Sequence, residues 1–371
     1  MDFEYTTEQQ LLRDTVTEFL AARYDLDKSR TAARVGQGRQ PDIWRALATE
    51  VGILGAALPE EVGGFDGGPV ETLIIAEALG GALVVEPYVD TVVVGAGLLR
   101  RAGGDRAAEL LRGIVSGEVI TAFAALEADS GYNLRQVSTT ARREGDSWIL
   151  DGAKVVVSSA PLATHLLVTA RTPAGLSLFL VDPAAAGLTM HPYRTIDDHR
   201  AADLTLEGVR ADALLGSEGT AQDSLDAAAD EAIAAISAEA VGAMRRVLTD
   251  TVEYAKQRKQ FGVPIASFQV LQHRMVDMHL ELEQAIAATY LVTLKLDAEP
   301  ADRARAAAAA KATIGRAARF IGQSAVQLHG AMGMTEELPI GHYFKRLTAI
   351  QYEWGTTDQH IARYAALTRP A

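Results

Sequence analysis

One stretch of the sequence combines residue types that suit anion binding. Between Tyr254 and Gln269 a helical pattern ends near Gly262 and Pro264, which stop helices, and Ser267 is placed to cap a new one. Arg258 stands at this junction. A guanidinium beside the free N–H groups of a helix start can bind a phosphate oxygen, or it can satisfy the carbonyl groups that end its own helix. The stretch predicts an anion site that other motifs must support.

Carboxylates that could remove a proton stand in two other places. Glu353 lies near the C-terminus, and Asp230 and Glu231 lie in an acidic stretch that we expect at the surface. Other chemistries lack their residues: there is no cysteine, and the eight histidines show no metal-binding spacing. No Gly-x-Ser-x-Gly elbow occurs, and Gly95-Ala96-Gly97 misses the third glycine of a dinucleotide fingerprint. A thiol enzyme, a metal site and a serine hydrolase are therefore disfavoured.

The composition is that of a large acidic globular protein. With 371 residues, of which 48% are hydrophobic, the chain can form two or three packed units. The formal charge of −13 argues against binding nucleic acid through its phosphates. The longest apolar run, 92–99, is too short to span a bilayer, and the acidic start Met1–Glu4 is unlike a signal peptide. We expect a soluble cytoplasmic protein that binds neither nucleic acid nor membrane.

The hydrophobic periodicity changes twice along the chain. Helical patterns fill the first third, beginning with Thr7 and Gln10 in capping-box spacing. Short alternating runs bounded by turn residues follow and predict strands. Four long helical patterns then occupy 221–257, 269–296, 301–328 and 342–367. We expect an α+β protein with an N-terminal α-helical domain (1–117), a middle antiparallel β-domain (118–219) and a C-terminal four-helix bundle (220–371).

Three motifs stand in this domain order. They are Asp151-Gly152-Ala153-Lys154, the Arg-Lys-Gln-Phe-Gly run at 258–262, and the stretch 327–339, which begins Gln-Leu-His-Gly-Ala-Met-Gly. Each motif alone is modest, but together, at these separations, they are specific. The sequence thereby resembles the acyl-CoA dehydrogenase family of flavoproteins over almost its whole length. The resemblance implies FAD bound between the subunits of a tetramer, an acyl-CoA substrate, and an electron-transferring flavoprotein that accepts the electrons.

The resemblance also implies which residues contact FAD. Most of them lie in two segments that, in the family, reach the cofactor of a neighbouring subunit. The implied contacts are Arg258, Gln260, Phe261, Ile265, Phe268, Gln269, Gln327, Leu328, Gly330, Ala331, Ser158 and Thr356. His329, inside the second segment, is interpreted as a packed or hydrogen-bonding residue rather than a catalyst.

The base that the family uses is out of register here. A buried glutamate removes the α-proton of the thioester, either just before a Gly-Thr pair near the C-terminus or early on the helix that leads to the arginine motif. In this chain Trp354 precedes the Gly-Thr pair, and counting back from the motif places Ala232 at the second position. The nearest carboxylates, Glu353 and Glu231, are each one residue away, which on a helix rotates a side chain by about 100°. Glu353 is nevertheless the candidate base.

The segments that face the flavin in the family's β-domain are altered as well. Where the family reads Thr-Glu-Pro-Gly-x-Gly-Ser-Asp, residues 126–133 place Leu126 and Tyr132 at positions of small hydroxyl residues. Where the family has Trp-x-Thr, the chain has Val156-Val157-Ser158, and only Ser158 keeps a polar group.

The chain lacks the family's flavin-facing residues but keeps the residues that contact a neighbouring subunit's FAD. This combination predicts that it is a partner subunit without its own active site. Such a chain completes the FAD site of a catalytic subunit in an α2β2 complex, as in the degenerate subunits of bacterial steroid-degrading or dicarboxylyl-CoA dehydrogenases. Two alternatives stay open. The chain is a self-sufficient homotetrameric dehydrogenase using Glu353, or it performs another flavin-dependent reaction on a CoA thioester. The acyl group, whether fatty, dicarboxylyl or steroid, is not determined by the sequence.

Overall fold

The computed structural model describes residues 4–369 and divides the chain into two compact units. The first unit takes Met1–Tyr24, Pro69–Val84 and Ile233–Ala371, and the second takes Asp25–Gly68 and Val85–Ala232. Along the chain, helices are followed by a sheet and then by helices again, which confirms the predicted α+β class. The domain boundaries at 117 and 219 stay predictions.

The first third of the chain is helical, as expected. Its helices are α1 (Thr7–Arg23), α2 (Leu26–Val35), α3 (Pro41–Thr49), α4 (Pro69–Gly81), α5 (Ala96–Ala102) and α6 (Gly104–Val115). A π-helical segment, Val89–Gly95, leads into α5. The capping box of α1 is formed by Thr6 and Gln9, so the predicted box at Thr7 and Gln10 is wrong by one residue. Pro41 opens α3 at a position where its missing N–H is not needed.

The strands form one twisted sheet in the second unit. They are β1 (Thr121–Ala124), β2 (Thr140–Glu144), β3 (Ser147–Ser158), β4 (His165–Thr172), β5 (Gly175–Val181), β6 (Leu188–Arg194), β7 (Arg200–Ala211) and β8 (Ala213–Leu215). The order β6-β7-β3-β2-β4-β5-β8 is largely antiparallel, while β1 and β2 each pair with β4 in parallel. Buried side chains such as Leu150, Val157 and Leu204 form its core, and Trp148 packs on Phe179 with ring centroids 5.5 Å apart. This sheet fixes the backbone of the segments expected to face the flavin.

The C-terminal helices belong mostly to the first unit. They are α7 (Gln222–Gln257), α8 (Gln269–Leu294), α9 (Pro300–His329), α10 (Ile340–Ile350) and α11 (Thr357–Thr368). The fourth predicted helix, 342–367, is therefore two helices. The break follows from the left-handed backbone at Trp354 (φ 56°) and Gly355 (φ 110°), after which Thr356 and Gln359 form a new capping box.

Two glycines set the distance between helices in the first unit. A Cβ at Gly242 of α7 would lie 1.9 Å from the Glu77 carbonyl oxygen of α4, and a Cβ at Gly80 would lie 2.0 Å from the Glu239 carbonyl oxygen. Only glycine permits so close a backbone approach. Alanines line the buried face of α9, which packs against α8, α10 and α11. Among residues 4–369, no helix combines the length and apolar character needed to cross a membrane.

Candidate functional site

The segment after α7 forms a tight hairpin that carries the predicted anion site. β9 (Lys259–Gln260) and β10 (Val263–Pro264) are joined by Phe261 and Gly262, both with positive φ, as a two-residue hairpin turn requires. The Ile265 amide donates to the Arg258 carbonyl at 2.8 Å and closes the loop. Ile265 is buried and anchors the hairpin, whereas the Phe261 ring is 92% exposed.

The helix that follows this hairpin begins without a side-chain cap. Its N-cap is Phe268, and Ser267 instead donates its hydroxyl to the Pro264 carbonyl at 2.7 Å, so the prediction of a Ser267 cap is wrong. The reason is a short 3-10 turn, Ile265–Ser267, that the local pattern did not indicate. The first N–H groups of α8 are therefore left without a side-chain acceptor, next to the exposed Gln269.

A stacked ring pair brings the two predicted FAD-binding segments together. The rings of Tyr254 on α7 and His329 on α9 stack with centroids 4.2 Å apart, and the Tyr254 hydroxyl donates to the His329 carbonyl at 3.4 Å. His329 itself is buried and bonded through Nδ1 to the Ala325 carbonyl at 2.9 Å, in keeping with a packing role. Burial lowers the pKa of His329. The helix ends that carry Arg258 and Gln327 are thus held side by side.

The remaining predicted contacts differ in exposure. Gln260, Gln327, Gly330 and Ala331 are exposed, Phe268 is half-buried and Leu328 is buried. A Cβ added at Gly330 would meet no atom within 4 Å, so the turn after α9 faces open space. The Thr356 hydroxyl accepts the Gln359 amide hydrogen at 3.3 Å and is committed to capping α11.

These bundle residues fit the anionic and aromatic parts of FAD. The Arg258 guanidinium is exposed and makes no hydrogen bond or ion pair with any residue from 4 to 369, so its donors are available to a phosphate. The uncapped start of α8 supplies N–H groups and a positive dipole end. Phe261 and Phe268 add an edge-to-face aromatic pair at 6.1 Å.

In the β-domain the scaffold of the flavin-facing loop is preserved by a buried ion pair. Lys154 is fully buried, and its Nζ donates to Glu127 at 2.8 Å and to the Thr169 hydroxyl at 3.0 Å. Burial lowers the pKa of Lys154 to about 8 against the attraction of Glu127. Burial would also raise the pKa of Glu127, but donors from Lys154, Thr139 and Ser138 outweigh it and lower that pKa to about 2. Desolvation thus dominates at the lysine and hydrogen bonding at the glutamate, and both are charged at neutral pH.

The side chains that would touch the flavin ring fit it poorly. Val156 is 52% exposed with φ 51°, in a β-bulge of β3, and its N–H donates to Asp203 at 2.9 Å. It offers an isopropyl group where the family has an indole. Ser158 is exposed and is the polar side chain left at this strand end, while Leu126 and Tyr132 are half-buried. The β-domain keeps the loop's support, and Ser158 is the one small hydroxyl residue left among the positions compared with the family.

The candidate base Glu353 is held by an arginine. Arg346 donates from Nη1 and Nη2 to the two Glu353 oxygens, at 2.5 and 3.2 Å, and from Nε and Nη2 to both oxygens of Glu239, at 2.5 and 2.9 Å. Arg346 and Glu239 are buried, and the Glu353 side chain is 31% exposed. Both oxygens of Glu353 are therefore occupied as acceptors within the bundle.

Trp354, at the predicted base position, is half-buried and packs against the apolar core of the bundle. Its ring lies in an apolar cluster with Ile233, Ala234, Val292 and Ala306. Its carbonyl accepts a hydrogen bond from His360 Nε2 at 2.8 Å. An indole in this setting can neither accept nor donate the proton that the family's reaction moves.

The second base position is likewise apolar. Ala232 is fully buried, and Glu231 accepts two hydrogen bonds from Arg101 at 2.5 and 3.0 Å. Asp230 is 1% exposed and the Glu231 side chain 17%, so our expectation that this acidic pair lies at the surface is wrong. The polar side of α7 at this point is covered rather than solvated.

Four buried charged or titratable residues near the C-terminal turn were not predicted from the sequence: Glu239, Lys311, Arg346 and His360. Lys311 had a signal, because a lone lysine follows the alanine run 306–310 on a helix expected to be buried. Glu239 could not be predicted because its partner Arg346 is 107 residues away. Arg346 and His360 have nearer partners, Glu353 and Trp354, but these contacts depend on the helix break at Trp354 that the sequence pattern did not indicate. No group of three or more His, Asp or Glu side chains suitable for a metal ion occurs in the described part of the chain.

Family comparisons agree with this architecture. The chain matches the family models for the acyl-CoA dehydrogenase N-terminal domain over 6–118, the middle domain over 122–209 and the C-terminal domain over 220–366. The chain therefore belongs to the acyl-CoA dehydrogenase family, which are oxidoreductases that act on CH–CH bonds of acyl-CoA thioesters.

Individual relatives extend over nearly the whole chain. Acyl-CoA dehydrogenase FadE12 of Mycobacterium tuberculosis is 32% identical over 387 residues, covering 99% of this chain and 94% of the relative. Among solved structures, a Tcur3481-Tcur3483 steroid ACAD variant has a TM-score of 0.89 at 30% identity, covering 97% of each chain. The ChsE4-ChsE5 complex from Mycobacterium tuberculosis has a TM-score of 0.90 at 27% identity, covering 100% of each chain.

Proposed function

We propose that this chain is the partner subunit of a heteromeric FAD-dependent acyl-CoA dehydrogenase. It lacks the catalytic base and completes the FAD site of a second, catalytic subunit. The observation that carries the proposal is the occupancy of the two base positions. Trp354 and Ala232 stand there, and the adjacent carboxylates Glu353 and Glu231 are each held by an arginine.

The reaction of the family explains why this matters. Removing the α-proton of a thioester needs a carboxylate with a free lone pair directed at that carbon and a pKa raised by burial. A carboxylate whose two oxygens both accept hydrogen bonds from a guanidinium has no oxygen left directed at the substrate carbon. Glu353 is in this state and points to Arg346. This chain therefore contributes structure to the complex and leaves proton abstraction to the other subunit.

The residues proposed to bind FAD lie mainly in the C-terminal helices, and the β-domain lacks most of the ring-binding residues. When bound, FAD supplies the hydride acceptor for the β-carbon. Arg258 and the start of α8 would hold its phosphates, with Phe261 and Gln269 beside them and the turn at 327–331 against the same group. These residues project from the bundle, as a contribution to a neighbour's cofactor requires, whereas the ring-binding residues of this chain's own β-domain are altered.

Surface features and relatives support an assembly of unlike chains. An apolar groove of about 440 Å³ between α7 and α8 is lined by Leu248, Val252, Gln272, Met275, Val276 and His279. Nearby on α8, Val270 and Leu280 are also exposed. We assign this surface to the matching helices of the catalytic subunit, because the ChsE4-ChsE5 relative is a complex of two named chains.

The substrate class that we propose is a fatty or steroid acyl-CoA. The proposed electron acceptor is an electron-transferring flavoprotein, and the proposed location is the cytoplasm.

Expression alone and together with a catalytic family chain tests the proposal. The second chain should be one from the same genome that carries glutamate directly before its Gly-Thr pair. We expect the chain alone to be poor in flavin and inactive on octanoyl-CoA and on a steroid acyl-CoA, and the pair to form a yellow, active heterotetramer. A yellow homotetramer that dehydrogenates acyl-CoA, and that loses about a hundredfold or more in turnover on Glu353→Gln, would refute it.

A further inference from the structure

The turn between α10 and α11 has a backbone conformation that needs support. Trp354 has φ 56°, a left-handed conformation that costs a bulky residue of order 1 kcal/mol or more. Trp354, Gln351 and Gly355 all lie outside α10 and α11, so their carbonyl groups belong to the turn. Such a conformation persists only where contacts with surrounding groups stabilise it. The residues that contact the turn therefore indicate what holds it in this conformation.

Lys311 of α9 joins both ends of this turn. Its side chain is fully buried, and Nζ donates to the Gly355 carbonyl at 2.7 Å and to the Gln351 carbonyl at 3.2 Å. Burying an ammonium is costly unless its donors are used, and here two of three are used on backbone oxygens. One charged group therefore spans the first and last residues of the turn.

Two further groups hold the residues in between. Arg346 of α10 binds Glu353 through both oxygens while it is itself held by Glu239 of α7. His360 of α11 donates from Nε2 to the Trp354 carbonyl. The space beside Gly355 is filled by the same imidazole, since a Cβ at Gly355 would lie 2.7 Å from Nε2. The turn is thus contacted from α9, α10 and α11.

We propose that Lys311, Arg346 and His360 are positioning residues that hold the turn 351–355 and thereby keep the Trp354 indole packed against the apolar core of the bundle. We call these three residues, together with Glu353, the clamp. Within it, Glu353 is the acceptor that Arg346 binds and does not act as a base. The inference deepens the proposed function, and it rests on that proposal for the meaning of position 354. It explains why Glu353 cannot rotate into the place of the family's base: its carboxylate, and the backbone on both sides of it, are already bound.

Fluorine NMR on the full chain labelled with 5-fluorotryptophan tests the clamp without measuring activity. The chain has three tryptophans, and the resonance of Trp354 is the one lost in Trp354→Phe. Trp44 and Trp148 belong to the second unit and serve as internal references. We expect Lys311→Met to shift the Trp354 resonance or split it into several, with the two reference resonances unchanged. The matched control is Lys295→Met, which removes an exposed lysine of the same unit and should leave all three resonances in place.

A second variant keeps the test usable if Lys311→Met does not fold. Glu353→Ala alters a partly exposed side chain and removes the anchor of Arg346, and it should also move the Trp354 resonance alone. An unchanged Trp354 resonance in both variants, or an equal change of all three resonances, would overturn the clamp. Neither result bears on flavin content or turnover of the complex, so failure of the clamp and failure of the proposed function are distinguishable.

Discussion

Arg346 donates two hydrogen bonds to Glu353, the carboxylate next to the predicted base position, and two more to Glu239. One buried guanidinium therefore ties the C-terminal turn to the long helix α7. The relationship makes Glu353 part of the bundle's framework, and it leads to measurable consequences for the glutamate, the cofactor site, the β-domain and the acid stability of the protein.

Glu353→Gln in the heteromeric complex should leave kcat and KM for acyl-CoA unchanged. The amide can keep one hydrogen bond to Arg346 while losing the charge, so we expect the free energy of unfolding to fall by about 1 kcal/mol. Steady-state kinetics and urea denaturation measure the two effects. Glu337→Gln, at an exposed glutamate, is the control for both. A loss of turnover of about a hundredfold would instead identify Glu353 as a base.

Arg258→Ala should weaken FAD binding in the complex by about 1.5–3 kcal/mol, the range of a hydrogen bond to a charged group. The guanidinium is exposed and makes no hydrogen bond or ion pair within the described residues 4–369, so its loss should leave the fold intact. Titration of the apo-complex with FAD, followed by flavin fluorescence, gives the dissociation constant. Lys259→Ala removes the next cation along the same hairpin and should change affinity less. Equal losses from both variants would indicate a general electrostatic attraction and no specific contact.

Lys154→Met should destabilise the β-domain unit by about 3–5 kcal/mol, because it leaves the Glu127 carboxylate buried without its cation. Replacing both partners, as Glu127→Leu with Lys154→Met, should restore part of the loss, because the unpaired charge is removed while the N–H groups of Ser138 and Thr139 lose their acceptor. Urea denaturation of the four species forms a double-mutant cycle. Arg142→Met breaks exposed ion pairs with Glu144 and Asp151 and should change little. Equal destabilisation by the double and single Lys154 variants would contradict this account.

The free energy of unfolding should fall as the pH is lowered from about 6.5 to 4, and His360 should account for part of this fall. Burial lowers the pKa of His360 to about 4 from its ordinary 6.5, against the Trp354 carbonyl, which favours the protonated ring. Between these two values the unfolded chain binds a proton that the native imidazole does not, so the free energy of unfolding decreases with acid in this window. His360→Gln should remove part of that slope in urea denaturation measured from pH 7 to 4.5.

The exposed His279 provides a matched surface substitution, His279→Gln, with which the effect of His360→Gln is compared. Loss of the Glu127 contribution comes lower, as the pH falls from 4.5 toward 2, because its folded pKa is depressed. The two windows therefore separate the histidine of the bundle from the ion pair of the β-domain. An identical slope in wild type and His360→Gln would show that the imidazole titrates normally in the folded protein.

Much of the architecture follows from local pattern. The change from a helical to an alternating period and back is a property of neighbouring residues, and it was sufficient to predict the order of helices and strands. The register of Trp354 against the Gly-Thr pair is also local, so the absence of a base in register could be predicted from the sequence. Capping was less reliable: the α1 box was misplaced by one residue and Ser267 does not cap α8.

The tertiary structure alone decided which charges meet. Arg346 and Glu239 are 107 residues apart, and Lys311 reaches the Gly355 carbonyl across 44 residues, separations for which no helical or strand period carries a signal. Tertiary packing also explains two other differences from the sequence predictions. Asp230 is buried although it lies in an acidic stretch, and the fourth predicted helix is split at Trp354. Side-chain direction depends on how a helix is rotated against its neighbours, and that rotation is set by packing over the whole unit. The sequence by itself determined the family and the position of Trp354 next to the Gly-Thr pair, and the packing of the bundle determined which groups hold Trp354 and Glu353.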